Sequence, residues 1–185
     1  KLFTITGVRT WRELKGQSSI ESVLTGDKQT ICTSRSFDGM EQDKGKLEMY
    51  ISNYAAHCAQ KVRAQKSACS MVTVFLQTNH FREDLPQHDA GLTVTLLTPA
   101  SSTNEIVKAA LRAFRACYKV GFQYKRAGVI VSGITKSTSI QQNLFDELTP
   151  EQRQKFNKLS EVMDTINRRM GNDTMILGIQ QFPKD

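Results

Sequence analysis

The sequence predicts an α+β fold, a split βαβ unit in which two helices pack on one face of a four-stranded sheet, followed by a helical C-terminal appendage. The predicted elements between residues 29 and 134 run strand, helix, strand, strand, helix, strand. Both helices carry apolar residues on one face, and "MVTVFLQT" places Val72, Val74 and Leu76 at alternate positions. With 185 residues, the chain has room for one such domain and an appendage, or for two small domains.

The composition is that of a globular protein, with 39% hydrophobic and 23% charged residues. No apolar run in the sequence is long enough to span a bilayer. The four cysteines form no C-x-x-C pair, which fits a reducing compartment better than a disulfide scaffold, so we expect a cytoplasmic protein. Because the sequence begins at Lys1 and not at Met, we expect it to be a piece of a longer protein.

The first elements are a short helix, a linker, a strand and a long helix. "GVRTWRELKG" predicts a helix over residues 7–16 that ends at Gly16, and the polar residues 17–29 predict a linker. "QTICTSRSF" (29–37) predicts a strand. The clearest helix is predicted over residues 46–65, where apolar residues recur at helical spacing.

The remaining elements complete the sheet and add the appendage. Residues 71–78 and 92–97 predict two strands, which we expect to pair antiparallel although a long loop joins them. A helix is predicted over residues 103–120, ended by Gly121, and the last strand over residues 126–134.

The appendage begins with a recognisable helix start. Thr149 as N-cap and Pro150 at the first helical position predict a helix that ends at Gly171. The segment "TMILGI" (174–179) is typical of a short strand.

Histidines are the first candidates for chemistry, and their spacing does not support a metal or catalytic site. His80, Asp84 and His88 are spaced by four residues, but Pro86 argues against a helix that would align them. The sequence contains no Ser-His-Asp arrangement, glycine-rich phosphate loop or paired acidic strand motif. We therefore predict neither catalytic residues nor a metal site in this chain.

The formal net charge of +7 favours a polyanionic partner, most simply nucleic acid, although a soluble protein can also simply be basic. Six basic and no acidic side chains lie between Lys108 and Arg126. Four of them share the outer face of the predicted 103–120 helix, which we interpret as a solvated face because a helix packed on a sheet needs a polar outer side. These four are Lys108, Arg112, Arg115 and Lys119.

The sheet face away from the helices is the candidate binding surface. Lys125 and Arg126 begin the last strand beside Gly128, a glycine that lets another backbone approach closely. The first strand repeats this combination of small hydroxyls and a cation in Ser34, Arg35 and Ser36. The middle strands are expected to add the hydroxyls of Thr73, Thr93 and Thr95.

Such a surface suits the phosphates of a duplex, with little sequence preference. The sequence shows no aromatic ladder of the kind that stacks single-stranded bases.

Several of these segments resemble one protein family, in colinear order and over essentially the whole chain. "KRAGVIVSGI" resembles the last strand of the little finger domain in Y-family translesion DNA polymerases, and "RTWRELKG" resembles the end of their thumb. "TICTSRSF" and "MVTVFLQTNHF" are most similar to the UmuC branch, the catalytic subunit of DNA polymerase V. "MDTINRRMGNDTMILGIQQ" resembles the C-terminal tail of that branch.

The resemblance implies a division of the chain into five parts. These are the end of a thumb helix (1–16), a linker (17–29), the little finger domain (30–134), a connector (135–148) and a C-terminal tail domain (149–185).

The connector contains "QQNLF", which is similar to the Q-L-x-L-F peptides with which bacterial proteins bind the sliding clamp. An exposed Leu-Phe pair in a polar connector is costly unless it enters a pocket. The alternative is that this pair packs back onto the chain itself. The residues of the expected clamp-binding peptide are Gln141, Gln142, Asn143, Leu144 and Phe145. Gln142 departs from the usual Leu.

The resemblance also implies what the rest of the parent protein contains. The parent protein would be a DNA-directed DNA polymerase of SOS-type DNA repair, whose palm holds two metal ions, expected to be Mg²⁺, upstream of Lys1. This piece would have no cofactor of its own, and its tail would contact an accessory subunit of the UmuD type.

Two other functions remain open from the sequence. A stand-alone nucleic-acid-binding module would share the charge and the sheet but would not explain the clamp-like peptide. A protein-interaction adaptor would use its basic helix face for an acidic partner and would bind DNA weakly.

Overall fold

Four antiparallel strands and two long helices form the predicted split βαβ unit. The computed structural model describes residues 4–19, 26–139, 143, 146 and 148–180. The elements are α1 (Ile5–Leu14), β1 (Ile31–Glu41), α2 (Lys44–Ala64), β2 (Ser67–Thr78), β3 (Ala90–Ala100), α3 (Thr103–Cys117), β4 (Tyr124–Lys136) and α4 (Pro150–Met170). Short 3₁₀ turns follow β4 at Ser137–Ser139 and end the described tail at Gly178–Gln180.

The sheet has the strand order β1-β4-β2-β3, and every neighbouring pair is antiparallel. The last strand therefore lies inside the sheet, between the first strand and the β2–β3 pair. The predicted antiparallel pairing of β2 with β3 is confirmed, with Thr73 opposite Thr93. On its other side Thr73 lies opposite Ile130 of β4.

The core lies between the sheet and the helices α2 and α3. Because side chains alternate along a strand, Val72, Val74 and Leu76 all face the helices, and all three are fully buried. The central strand β4 contributes Val129 and Val131 to the same layer. The prediction that both helices cover one face of the sheet is confirmed.

The helix starts show how local sequence fixes the boundaries. The Asp43 carboxylate accepts a hydrogen bond from the Lys46 backbone N–H at 2.7 Å and caps α2. Ser102 caps α3. Thr149 and Gln152 form the two halves of a capping box at the start of α4, with Pro150 at its first position, as predicted.

Several boundaries differ from the sequence prediction, and β2, for example, begins at Ser67, four residues before its predicted start. The helix α3 ends at Cys117, before Gly121, because Tyr118 is extended and its ring packs against Phe114 and Tyr124. The strand β1 continues to Glu41, with a shift of register after Ser36.

The predicted short strand at residues 174–179 is wrong. Its backbone N–H groups find side-chain acceptors in place of a neighbouring strand. The Met175 N–H donates to Asn167 Oδ1 at 2.7 Å, and the Leu177 N–H donates to Gln180 Oε1 at 2.9 Å. With those donors satisfied locally, the segment bends back and ends in the Gly178–Gln180 turn.

The C-terminal appendage packs against the helix layer. The Ser160 hydroxyl of α4 accepts a hydrogen bond from the Thr103 backbone N–H at 3.0 Å, and both residues are buried. Met163 is 6% exposed, and the Gln180 amide reaches Asn53 of α2 at 3.2 Å. Within the described part of the chain, no helix has both the length and the apolar character needed to cross a membrane.

Candidate nucleic-acid interface

The sheet face opposite α2 and α3, here called the open face, carries most of the predicted binding residues. Strand alternation and the pairing register bring polar side chains of all four strands onto it. Its members are Ser34 and Ser36 on β1, Arg126 and Gly128 on β4, Thr73, Phe75 and Gln77 on β2, and Thr93 and Thr95 on β3.

Arg126 contributes a positive charge to the open face. Its guanidinium donates a hydrogen bond to Ser34 Oγ at 3.1 Å and lies 5.7 Å from the centre of the Phe75 ring. Arg126 stands opposite Ser36 on one side and Gln77 on the other, and its side chain is exposed. A guanidinium held on an aromatic face in this way keeps donors available for phosphate oxygens.

The side chains that cover Gly128 explain why this position has no side chain of its own. A Cβ at this position would lie 2.5 Å from both Phe75 Cζ and Ser34 Cβ, closer than such atoms approach. The sequence predicts that this glycine lets another backbone approach closely, but the Phe75 ring occupies the space. Gly128 therefore positions Phe75 and Ser34 and is itself buried.

The threonines form the other half of the open face. The hydroxyls of Thr73 and Thr93 are 2.8 Å apart across the β2–β3 pair. Thr95 is exposed one row further along β3, opposite Met71. These hydroxyls give the face neutral donors and acceptors beside the guanidinium.

Arg35 does not share this face with Ser34 and Ser36, because neighbouring residues of a strand point to opposite sides. It stands opposite the buried Ala127, on the side of the helices. Burial raises the pKa of the Tyr54 hydroxyl of α2, and the positive charge of Arg35 acts on that pKa in the opposite direction. The grouping of three consecutive residues as one binding motif was therefore wrong in its geometry.

Lys125 is also used differently from the expectation. Its ammonium group donates hydrogen bonds to the carbonyl oxygens of Phe37, Asp38 and Gly39, at 2.5, 3.1 and 3.3 Å. These contacts hold the segment of β1 where the register shifts. Lys125 therefore supports the strand edge, and Arg126 alone of the pair faces outward.

The basic residues of α3, and Lys119 just beyond its end at Cys117, agree with the interpretation as a solvated surface. Lys108, Arg112, Arg115 and Lys119 are all exposed, and Arg115 makes an ion pair with Glu48 of α2 at 3.0 Å.

Of the expected clamp-binding peptide, Gln141, Gln142, Leu144 and Phe145 lie outside the described residues. Asn143 is described, and its backbone N–H donates to Thr98 Oγ1 at 3.0 Å. Asp146 accepts a hydrogen bond from the Arg153 guanidinium of α4 at 2.5 Å. The two described residues beside the Leu-Phe pair are thus both in contact with the folded domain.

Phe75 was not predicted as an open-face residue, because a single aromatic side chain on a strand does not form a series of stacked aromatics. The signal was present, because the alternation that assigns Thr73 to the open face assigns Phe75 to it as well.

Comparisons with known proteins identify relatives of this chain. Protein UmuC of Salmonella typhimurium is 32% identical over 176 residues, which cover 95% of this chain and 41% of the relative. Protein ImpB of Salmonella typhimurium is 33% identical over 170 residues, 91% of this chain and 39% of the relative. The chain thus spans about two fifths of the length of these relatives.

One solved structure, a complex of the beta-clamp processivity factor and the little finger domain of PolIV, aligns with 63% of this chain and 98% of its own, at 14% identity and a TM-score of 0.43. Because the two structures overlap only loosely, nothing about the present chain follows from this match. The family comparison is decisive, since residues 28–144 match the model of the impB/mucB/samB family C-terminal domain. The chain belongs to that family, as a UmuC-like C-terminal region of the Y-family polymerases.

Proposed function

We propose that this chain grips template-primer duplex DNA through its open face, as the C-terminal region of an error-prone translesion polymerase in SOS-type DNA repair. The observation that carries the proposal is the exposed Arg126 guanidinium, held between Ser34 and the Phe75 ring. The proposed phosphate contacts are Arg126 and the hydroxyls around it, from Ser34, Ser36, Thr73, Thr93 and Thr95, with Gly128 positioning them. Arg35 and Lys125 are excluded from this set by their placement.

The charge and the composition of the face both support phosphate binding. The chain has a net charge of +7, and the open face offers hydroxyls and one guanidinium without a row of base-reading side chains. Contacts of this kind fix a duplex in place without reading its sequence, which suits a protein that must follow DNA of any sequence.

The test is the salt dependence of binding to a duplex, compared between Arg126→Ala and Arg169→Ala. Both variants remove one positive charge, but Arg169 is an exposed residue of the last turn of α4, on the side of the helices. We expect Arg126→Ala to reduce the slope of log K against log salt by about one unit, and Arg169→Ala to leave it unchanged. Lys125→Ala should also leave the slope unchanged. Equal slopes for Arg126→Ala and the wild type would remove the open face from the DNA contact.

We propose further that residues 141–145 bind a bacterial sliding clamp. The support is the sequence pattern, in which Gln141 orients the peptide and Leu144 and Phe145 are the anchors, together with the family to which the chain belongs. The test is titration of the chain against a sliding clamp, with the Leu144→Ala, Phe145→Ala double variant beside the wild type. Micromolar binding that the double variant loses would assign the peptide. A large loss of thermal stability in that variant would instead show that the pair belongs to the core.

The parent protein that we infer is a DNA-directed DNA polymerase, with its Mg²⁺ ions in a palm outside these residues. In that protein the tail of this chain contacts a UmuD-type subunit, and the whole acts in the cytoplasm. An adaptor for an acidic protein is the competing function. It is favoured only if duplex affinity is weak and insensitive to Arg126.

A further inference from the structure

The loop between β2 and β3 displays an aromatic side chain that the fold does not use. Phe81 is 97% exposed, more than any other large hydrophobic residue in the described part of the chain. Complete exposure of a phenyl ring is unfavourable, and its removal from water by a partner is worth more than that of almost any other side chain.

The loop is held in one conformation by its own hydrogen bonds. The Gln87 side-chain amide donates to the carbonyl oxygens of Asn79, Arg82 and Leu85, at 3.2, 2.9 and 3.0 Å. The Phe81 backbone N–H donates to Asn79 Oδ1 at 3.1 Å. A ring on such a loop is already oriented before it meets a partner, so binding costs little conformational entropy.

The base of the loop is fixed to the end of the sheet. Thr78 donates from its backbone N–H to Asp89 at 3.1 Å and from its hydroxyl to Gln87 at 2.6 Å. The other oxygen of Asp89 lies 2.6 Å from His80 Nε2. Phe81 therefore has a defined position relative to the strands.

The loop that carries Phe81 follows the end of β2 at which Gln77 and Arg126 are paired. Gln77, the last open-face residue of β2, lies opposite Arg126, and Phe81 follows it by four residues. Four residues span at most about 14 Å, and one DNA strand advances about 3.4 Å per nucleotide. The backbone span from Gln77 to Phe81 therefore corresponds to at most about four nucleotides of one DNA strand.

We propose that Phe81 stacks on an unpaired base of the template strand, just beyond the duplex that the open face holds. This inference rests on the proposed function of the open face. An unpaired base offers a π-face to a single ring, and stacking of this kind tolerates any base.

The surroundings of the ring favour a base over a protein pocket or a phosphate. The residues next to Phe81 in sequence, Asn79, His80, Arg82 and Glu83, are all polar, whereas protein anchors are commonly set among apolar residues. Arg82 is occupied by a two-point ion pair with Asp84, at 2.7 and 2.6 Å. The loop therefore presents an exposed ring next to a guanidinium that is already paired with a carboxylate.

The test compares a blunt duplex with the same duplex extended by a single-stranded template overhang, in fluorescence anisotropy titrations. We expect the overhang to increase the affinity of the wild-type chain about fivefold to tenfold. Phe81→Ala should lose that gain, keep the blunt-duplex affinity and keep the salt slope, because stacking releases no counterions. Met170→Ala, which truncates a 72% exposed residue of α4, is the matched control and should change nothing.

A second variant makes the contact visible. The chain has a single tryptophan, so Phe81→Trp combined with Trp11→Phe places the only indole in the loop. Quenching of its fluorescence by the overhang, and not by the blunt duplex, would support stacking.

An overhang gain that survives in Phe81→Ala would overturn the assignment and leave Phe81 as a protein contact. Failure of the wild-type chain to bind even the blunt duplex would overturn the proposed function first, and this inference with it.

Discussion

Arg63 of α2 and Asp164 of α4 form a two-point ion pair that joins the C-terminal appendage to the domain. Arg63 Nε lies 2.7 Å from Asp164 Oδ2, and Nη2 lies 2.7 Å from Oδ1. The third nitrogen of the guanidinium, Nη1, donates a hydrogen bond to the Ser101 carbonyl oxygen at 2.7 Å. The two side chains are only 10% and 17% exposed, so little water competes for these contacts.

The first prediction is that Asp164→Ala destabilises the chain by about 3 kcal/mol, because it leaves a nearly buried guanidinium without its counter-charge. Urea unfolding measures this free energy. The matched control is Arg82→Ala, which breaks the fully exposed Arg82–Asp84 pair and should cost nothing measurable. Replacing both partners by apolar residues, Arg63→Met with Asp164→Leu, should recover most of the loss. If Asp164→Ala and Arg82→Ala lost similarly small amounts of stability, the appendage would not depend on the Arg63–Asp164 pair.

The appendage shows where sequence reasoning stops. The helix α4 was predicted from Thr149 as N-cap, Pro150 at its first position and Gly171 at its end, which are local signals. Its docking onto α2 was not predicted, because it depends on Arg63 meeting Asp164 across 101 positions, and no local pattern encodes such a contact.

The sheet was predicted more completely than the candidate site. Alternation identified Val72, Val74 and Leu76 as buried residues of β2, since burial alternates with a period of two between Met71 and Thr78. The site depends on registers between strands. Lys125 donates to the backbone of β1 where the register shifts, between Ser36 and Glu41, and a sequence does not reveal such a shift.

The second prediction concerns the open face itself. Gly128→Ala should destabilise the chain by about 1–3 kcal/mol, because the added methyl group meets the Phe75 ring and Ser34 Cβ at 2.5 Å. Combining it with Phe75→Ala should give a smaller loss than the sum of the two single variants, since the ring is then gone. Thermal unfolding of the four proteins of this cycle measures the coupling. Additive losses would show that the ring does not cover Gly128.

The third prediction follows from the buried thiols. Burial raises the pKa of the Cys69 thiol to about 12, and it also raises the pKa values of Cys58 and Cys117. Above the ordinary thiol value of 9.0, the unfolded chain loses this proton while the folded chain keeps it, so stability falls as the pH rises. For Cys69 alone, the slope approaches about 1.4 kcal/mol per pH unit between pH 9 and pH 12.

The measurement is the free energy of unfolding across this alkaline range for wild type and Cys69→Ala. The variant should lose stability less steeply. Cys32→Ala, which removes an exposed thiol, serves as the control and should follow the wild type. Parallel curves for wild type and Cys69→Ala would show that the thiol does not titrate differently in the two states.

The last prediction separates the orientation of Phe81 from its contact. Gln87→Ala removes the amide that donates to three loop carbonyl oxygens, while Phe81 itself is unchanged. We expect faster hydrogen exchange at the Arg82 and Leu85 amides, because their turns lose support, with little change in exchange within α2 and β4. The gain in affinity from a template overhang should fall, but less than in Phe81→Ala, since the ring remains available and only its orientation is lost. Slow exchange and a full overhang gain in Gln87→Ala would show that the loop holds its shape without this side chain.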